Sequence, residues 1–83
     1  MIMIKEKLNE IAGVLYKGNT AKGISMISEV LGELQEAAVS MKEDDREDFL
    51  NNALAPALEA METRDGTLLA DIITYEIMER VDA

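Results

Sequence analysis

Residues 20–41 read TAKGISMISEVLGELQEAAVSM, and this stretch decides the fold class. Ile24, Ile27, Leu31, Leu34, Ala38 and Met41 recur at alternating spacings of three and four. That spacing puts them on one stripe of a helix and on no common face of a strand. Met26, Val30 and Ala37 widen the stripe to an arc of about 160°, so this helix is expected to be central and to touch more than one neighbour. Glu29, Glu33 and Glu36 cluster on the far side, about 160° from the stripe.

Toward the N-terminus, Gly18-Asn19-Thr20 supplies a glycine suited to a left-handed helix end and two residues able to cap the next helix. Ahead of it, Ile4, Leu8, Ile11 and Leu15 fall within an arc of about 60°, predicting a first helix over about residues 2–17. Toward the C-terminus, KEDDRED at 42–48 contains Asp44 and Glu47 in the Asp-x-x-Glu form of a helix cap, predicting a third helix over about 44–62. Phe49, Leu50, Ala53, Leu54, Ala57, Leu58 and Met61 form its apolar face, and Pro56 predicts a kink or restart near Asn51 to Pro56. After the break at Arg64-Asp65-Gly66-Thr67, a fourth helix runs to about residue 81. Its apolar residues separate into Leu69, Ile73 and Ile77 on one face and Leu68, Ile72 and Tyr75 on another.

Short links make two antiparallel helical hairpins, a four-helix bundle-like domain, the expected architecture, with a three-helix bundle as the alternative if the third and fourth helices fuse or the third unravels at Pro56. The chain is one domain over residues 1–83, because a second core does not fit in 83 residues. Apolar residues make up 48% and charged residues 30%, a folding composition despite a net charge of −9. The charge is uneven: +1 over residues 1–17, −2 over 20–41, −5 over 42–65 and −3 over 66–83. Excess acid disfavours nucleic acid and anionic lipid as partners, and no run approaches the roughly 18 apolar residues of a membrane span. No export signal opens the sequence, so a cytoplasmic setting is expected.

The chain has no cysteine and no histidine, which removes thiolate chemistry, the usual general base and the commonest transition-metal ligand. Glu29, Glu33 and Glu36 resemble the carboxylates of a dinuclear bundle but lack the histidines of that site, so no metal is expected there. A calcium loop starting at Asp44 would place Arg46, Phe49 and Ala55 at ligand or glycine positions, and the match fails. The glycines at 13, 18, 23, 32 and 66 fit no phosphate loop. Gly13, Gly23 and Gly32 are instead expected where helices approach closely. Neither catalytic residues nor a cofactor is expected. The interface candidates are Leu68, Ile72, Tyr75 and Glu76 on the last helix, with Met26 and Val30 on the second. Glu76 falls between Leu69 and Ile72 on the wheel, so its pKa would rise at a seam unless an Arg, Lys or Tyr hydroxyl meets it.

The stretch AMETRDGTLLADIITYEIMERV resembles the ending A-x-E-x-x-D-x-x-x-L-A-D-I-x-x-Y-E of small, acidic, uncharacterised helical proteins of Firmicute-type bacteria, sometimes associated with motility gene clusters. Ala60, Glu62, Asp65, Leu69, Ala70, Asp71, Ile72, Tyr75 and Glu76 carry the match, which spans roughly residues 58–80. The resemblance implies an all-helical fold and brings no catalytic residues. Bundled flagellar-export chaperones are similar in size, acidity and class alone.

The resulting expectation is a non-enzymatic interaction protein, adaptor or chaperone-like, that presents apolar helix surface to a protein partner. The alternative is an acidic mimic or regulator that binds a basic nucleic-acid-binding protein. Two apolar faces on the last helix also predict a twofold homodimer.

Overall fold

The computed structural model describes residues 4–81, arranged as α1 Ile4–Tyr16, α2 Thr20–Val39, α3 over residues 43–63 and α4 over residues 66–80. No strand occurs among the described residues, and the fold is all-α and bundle-like. The expected start of the first helix at residue 2 lies outside the described residues.

Each hairpin turn satisfies its helix-end carbonyls locally. At the first, Gly18 takes φ +88°, its N–H donates to the Leu15 carbonyl at 2.9 Å, and the Asn19 N–H donates to Val14 at 3.2 Å. The second turn repeats this pattern without glycine. Arg64 takes φ 56°, its N–H donates to Met61 at 3.2 Å, and the Asp65 N–H donates to Ala60 at 3.0 Å. The Asp65 carboxylate then caps α4, accepting from the Leu68 N–H at 3.1 Å. Asn19 occupies the cap position of α2 but forms no side-chain cap bond.

The link between the hairpins corrects the reading of KEDDRED. Lys42, not Asp44, stands at the cap position, without a side-chain cap bond. Glu43, Asp44 and Asp45 all fall in the first turn of α3, where they face the positive end of the helix dipole. Arg46 reaches back across the link: Nε donates to the Ala38 carbonyl at 3.1 Å and Nη2 donates to Val39 and Met41 at 3.2 and 3.1 Å. A guanidinium thereby fills the role that a cap would otherwise take at the C-terminal end of α2.

In space α1 lies between α2 and α4, and α4 lies between α1 and α3. The expected centrality of α2 is therefore wrong. Leu8 of α1, Ile27 and Leu34 of α2, and Leu69, Ile73 and Ile77 of α4 are all wholly buried, and α2 keeps its glutamate ridge in water on its other side. The body measures 35 × 29 × 19 Å. Close approach of α1 and α2 depends on Gly23, where an added Cβ would overlap Cγ and Cδ2 of buried Leu15. Gly13 and Gly32 were expected to do the same and do not: open space surrounds both, on the sides of their helices that no neighbour covers.

The restart expected near Pro56 is present: α-helical geometry stops at Phe49 and resumes at Ala55, with Pro56 in the first turn of the resumed segment. The turn before it, Leu50–Leu54, is π-helical, and the Ala55 N–H donates to the Leu50 carbonyl five residues back. The wider turn accommodates a residue that lacks an N–H and whose ring would crowd the Asn52 carbonyl in an α turn. A second π turn, Ile73–Ile77, interrupts α4, with the Met78 N–H on the Ile73 carbonyl. The two π turns pack against each other. Their extra residue sets the core register: Phe49 with Leu54, and Ile72 with Ile77, are both buried pairs five positions apart. Leu50 and Leu58 consequently stand exposed, outside the apolar face assigned to them from periodicity.

Candidate functional site

Antiparallel packing of α3 on α4 leaves a groove of about 460 Å³ along their outer side. On α3, Asn52, Pro56, Glu59 and Thr63 form one wall, at spacings of four, three and four, which is a single row on a helix surface. On α4, Leu68, Ile72 and Glu76 form the other wall at spacings of four. Ala60 lies between the walls and is buried. Ile72 is only 8% exposed and belongs to the floor, whereas Leu68 is 47% exposed at the rim.

One end of this groove is closed by a polar clamp. Arg80 Nε donates to Asp48 Oδ2 at 2.6 Å and Nη1 donates to Glu76 Oε1 at 2.7 Å and to the Glu76 carbonyl at 3.0 Å. Asn52 Nδ2 donates to Asp48 Oδ1 at 2.6 Å. The Arg80 guanidinium, followed by the Asn52 amide, holds the Asp48 carboxyl below its ordinary value. Glu76 is thus met by an arginine, Arg80, four residues along the same helix.

A second, smaller groove of about 250 Å³ lies between α1 and α2, with Ile11, Met26 and Val30 as its apolar part. Lys7, Glu10, Glu29 and Glu33 surround it, and Lys7 Nζ pairs with Glu33 Oε1 at 3.0 Å. Among the described residues, no group of three or more acidic side chains is placed to hold a metal ion.

The six interface candidates therefore separate. Leu68, Ile72 and Glu76 share the α3/α4 groove, and Met26 and Val30 share the α1/α2 groove. Val30 is 5% exposed, so it and Ile72 are core residues with one edge showing, and the surplus apolar face read for α4 is narrower than expected. Tyr75 lies outside both grooves at 66% exposure, because one residue along a helix turns it about 100° away from Glu76. It stands on the side of α4 that meets α1, where Tyr16 donates from its hydroxyl to Asp71 Oδ1 at 2.5 Å. That bond raises the Tyr16 phenol above its ordinary 10.0, with Thr74 acting in the opposite direction.

The α3 wall escaped the sequence reading. Asn52, Glu59 and Thr63 are polar and form no stripe, so nothing in α3 marked them until α4 was laid alongside. No helix among the described residues is long and apolar enough to cross a membrane.

No curated protein and no solved structure gives a significant match to the chain. The model of one family, described as a domain of unknown function (DUF8042), matches residues 2–83, and the chain belongs to that family.

Proposed function

We propose that this chain is a non-catalytic, cytoplasmic interaction module, adaptor or chaperone-like, that binds a protein partner through the α3/α4 hairpin. The observation that carries the reading is Leu68, half exposed beside an apolar floor of Ile72 and Ala60. A large aliphatic side chain in that position lacks the cover it would have in a core, and burying it wholly is worth roughly 1.5–3 kcal/mol. The resemblance of residues 58–80 to small acidic helical proteins of Firmicute-type bacteria, sometimes associated with motility gene clusters, supports a bacterial setting and falls on the same hairpin. The test is affinity capture from a native-type lysate with the wild-type chain and with Leu68→Glu. A partner retained by the first and lost by the second supports the reading, and reproducible absence of any partner counts against it.

Two other uses of the same half of the chain are distinguishable. An acidic mimic or regulator of a basic nucleic-acid-binding protein draws support from the charge of −5 over residues 42–65 and −3 over 66–83. Its binding would collapse at high ionic strength, whereas binding through an apolar groove persists. A twofold homodimer through Leu68 and Tyr75 would cover both exposed side chains, opposed by repulsion between two chains of charge −9. Sedimentation at tens of micromolar protein and moderate salt decides it, since a dimer lost in Tyr75→Glu supports this arrangement and a monomeric wild type removes it.

A further inference from the structure

We infer that the α3/α4 groove receives one short, basic, amphipathic helix, contributed by a partner protein and not by a second copy of this chain. The inference rests on the interaction-module reading and names the chemistry of its ligand. Shape comes first. The α3 wall runs from Asn52 to Thr63, a span of about 16 Å at ~1.5 Å per residue, which is three turns of a docked helix. The wall rows repeat every three or four residues, so the channel between them suits apolar anchors with the same repeat on the incoming helix. The turn at Arg64 and Asp65 bounds one end and the Asp48–Arg80 pair bounds the other, which limits the docked segment to about three turns.

Charge then selects the occupant. The ionisable residues lining the groove are Glu59 and Glu76, and no lysine or arginine lines it. Arg80 is the nearest basic group to the closed end, and its guanidinium is engaged by Asp48 and Glu76. Asp48 and Glu76 in turn lie within hydrogen-bond reach of the clamp, which leaves Glu59 as the carboxylate standing at mid-groove on the open wall. A helix with leucine-like anchors flanked by lysine or arginine meets both features: its apolar stripe covers Leu68, Ile72 and Ala60 while its basic edge faces Glu59. A second copy of the chain meets the groove with the wrong sign, because residues 42–65 and 66–83 carry −5 and −3.

The probe is a synthetic amphipathic helix of leucine and lysine, about 11 residues long, titrated into the isotopically labelled full chain while amide shifts are followed by NMR. A scrambled peptide of identical composition controls for attraction between opposite net charges. The amphipathic peptide is expected to shift amides between Asn52 and Glu76, and to bind at least roughly tenfold more tightly than the scrambled one at physiological salt. Glu59→Lys and Leu68→Glu, both at exposed positions, are each expected to weaken it by roughly tenfold, and Val39→Glu on the exposed part of α2 to leave it unchanged.

Equal binding of the scrambled peptide overturns the inference, as does absence of groove shifts. Shifts confined to the α1/α2 groove overturn the assignment of the groove while leaving an interaction module standing. Groove shifts that appear with rising protein concentration and no peptide identify the occupant as a second copy, which also overturns it.

Discussion

Arg80 Nε lies 2.6 Å from Asp48 Oδ2, so one ion pair joins the last turn of α4 to the first segment of α3 across the two packed π turns. Both partners are partly open to water, and an exposed pair of this kind contributes modestly to stability. Its signature is pH dependence. The Asp48 pKa is lowered from 3.8 in the folded chain, so its contribution is present above that value and is lost as pH falls through the lower folded value. The difference in thermal midpoint between wild type and Asp48→Asn is expected to be constant at neutral pH and to shrink below about pH 4. A difference that does not vary with pH would show that the variant acts through Asn52 or packing instead.

Gly23 and the pair Gly13 and Gly32 should respond to alanine in opposite directions. Helix propensity alone favours alanine by about 1 kcal/mol at each position. At Gly13 and Gly32 nothing opposes the added methyl, and each substitution is expected to stabilise by about 0.5–1 kcal/mol in chemical denaturation. At Gly23 the methyl overlaps Cγ and Cδ2 of Leu15, a buried side chain, and overpacking costs about 1–3 kcal/mol. Gly23→Ala is therefore expected to destabilise by about 1 kcal/mol net, and a stabilised variant would show that α1 can move away from α2.

Arg46 should be sensitive to replacement although it sits in the most charged stretch of the chain. Its three hydrogen bonds end on carbonyls at or just beyond the C-terminus of α2, and lysine cannot reproduce a planar fork across them. Arg46→Lys is expected to cost about 1 kcal/mol and Arg46→Ala about 2 kcal/mol by urea denaturation. Faster amide exchange near residues 38–41 in the variants would locate the loss at the end of α2.

Arg64 holds the left-handed conformation that glycine adopts without cost. Arg64→Gly is expected to raise stability by about 0.5–1 kcal/mol, the strain relieved exceeding the added freedom of the unfolded chain. Arg64→Val, β-branched at the same φ, should lower it, and a circular dichroism melt of the three proteins gives the order.

What the sequence determined by itself follows from local periodicity. Ile27, Leu34 and Ala38 repeat with the helical period, Gly18 marks a left-handed helix end, and Leu69, Ile73 and Ile77 form one stripe; each belongs to a single helix, and all behave accordingly. Even the family resemblance ran along one contiguous stretch. The tertiary structure decided everything that depends on which helix lies opposite. It put α1 and α4 in the middle, where Leu69, Ile73 and Ile77 are covered on α4, while the glutamate ridge of α2 stays hydrated. It chose Gly23 over Gly13 and Gly32, because a glycine matters only where another helix presses on it. It also converted the effect of Pro56 into a π turn matched by a second π turn across the hairpin, and turned Arg46 back onto α2. The groove itself is of this kind: Leu68, Ile72 and Glu76 share one row of α4, but Asn52, Pro56 and Glu59 become its second wall only through the pairing of α3 with α4. Periodicity reports the face a helix turns inward, and the identity of the neighbour on that face is fixed by side-chain shape and burial across the whole fold.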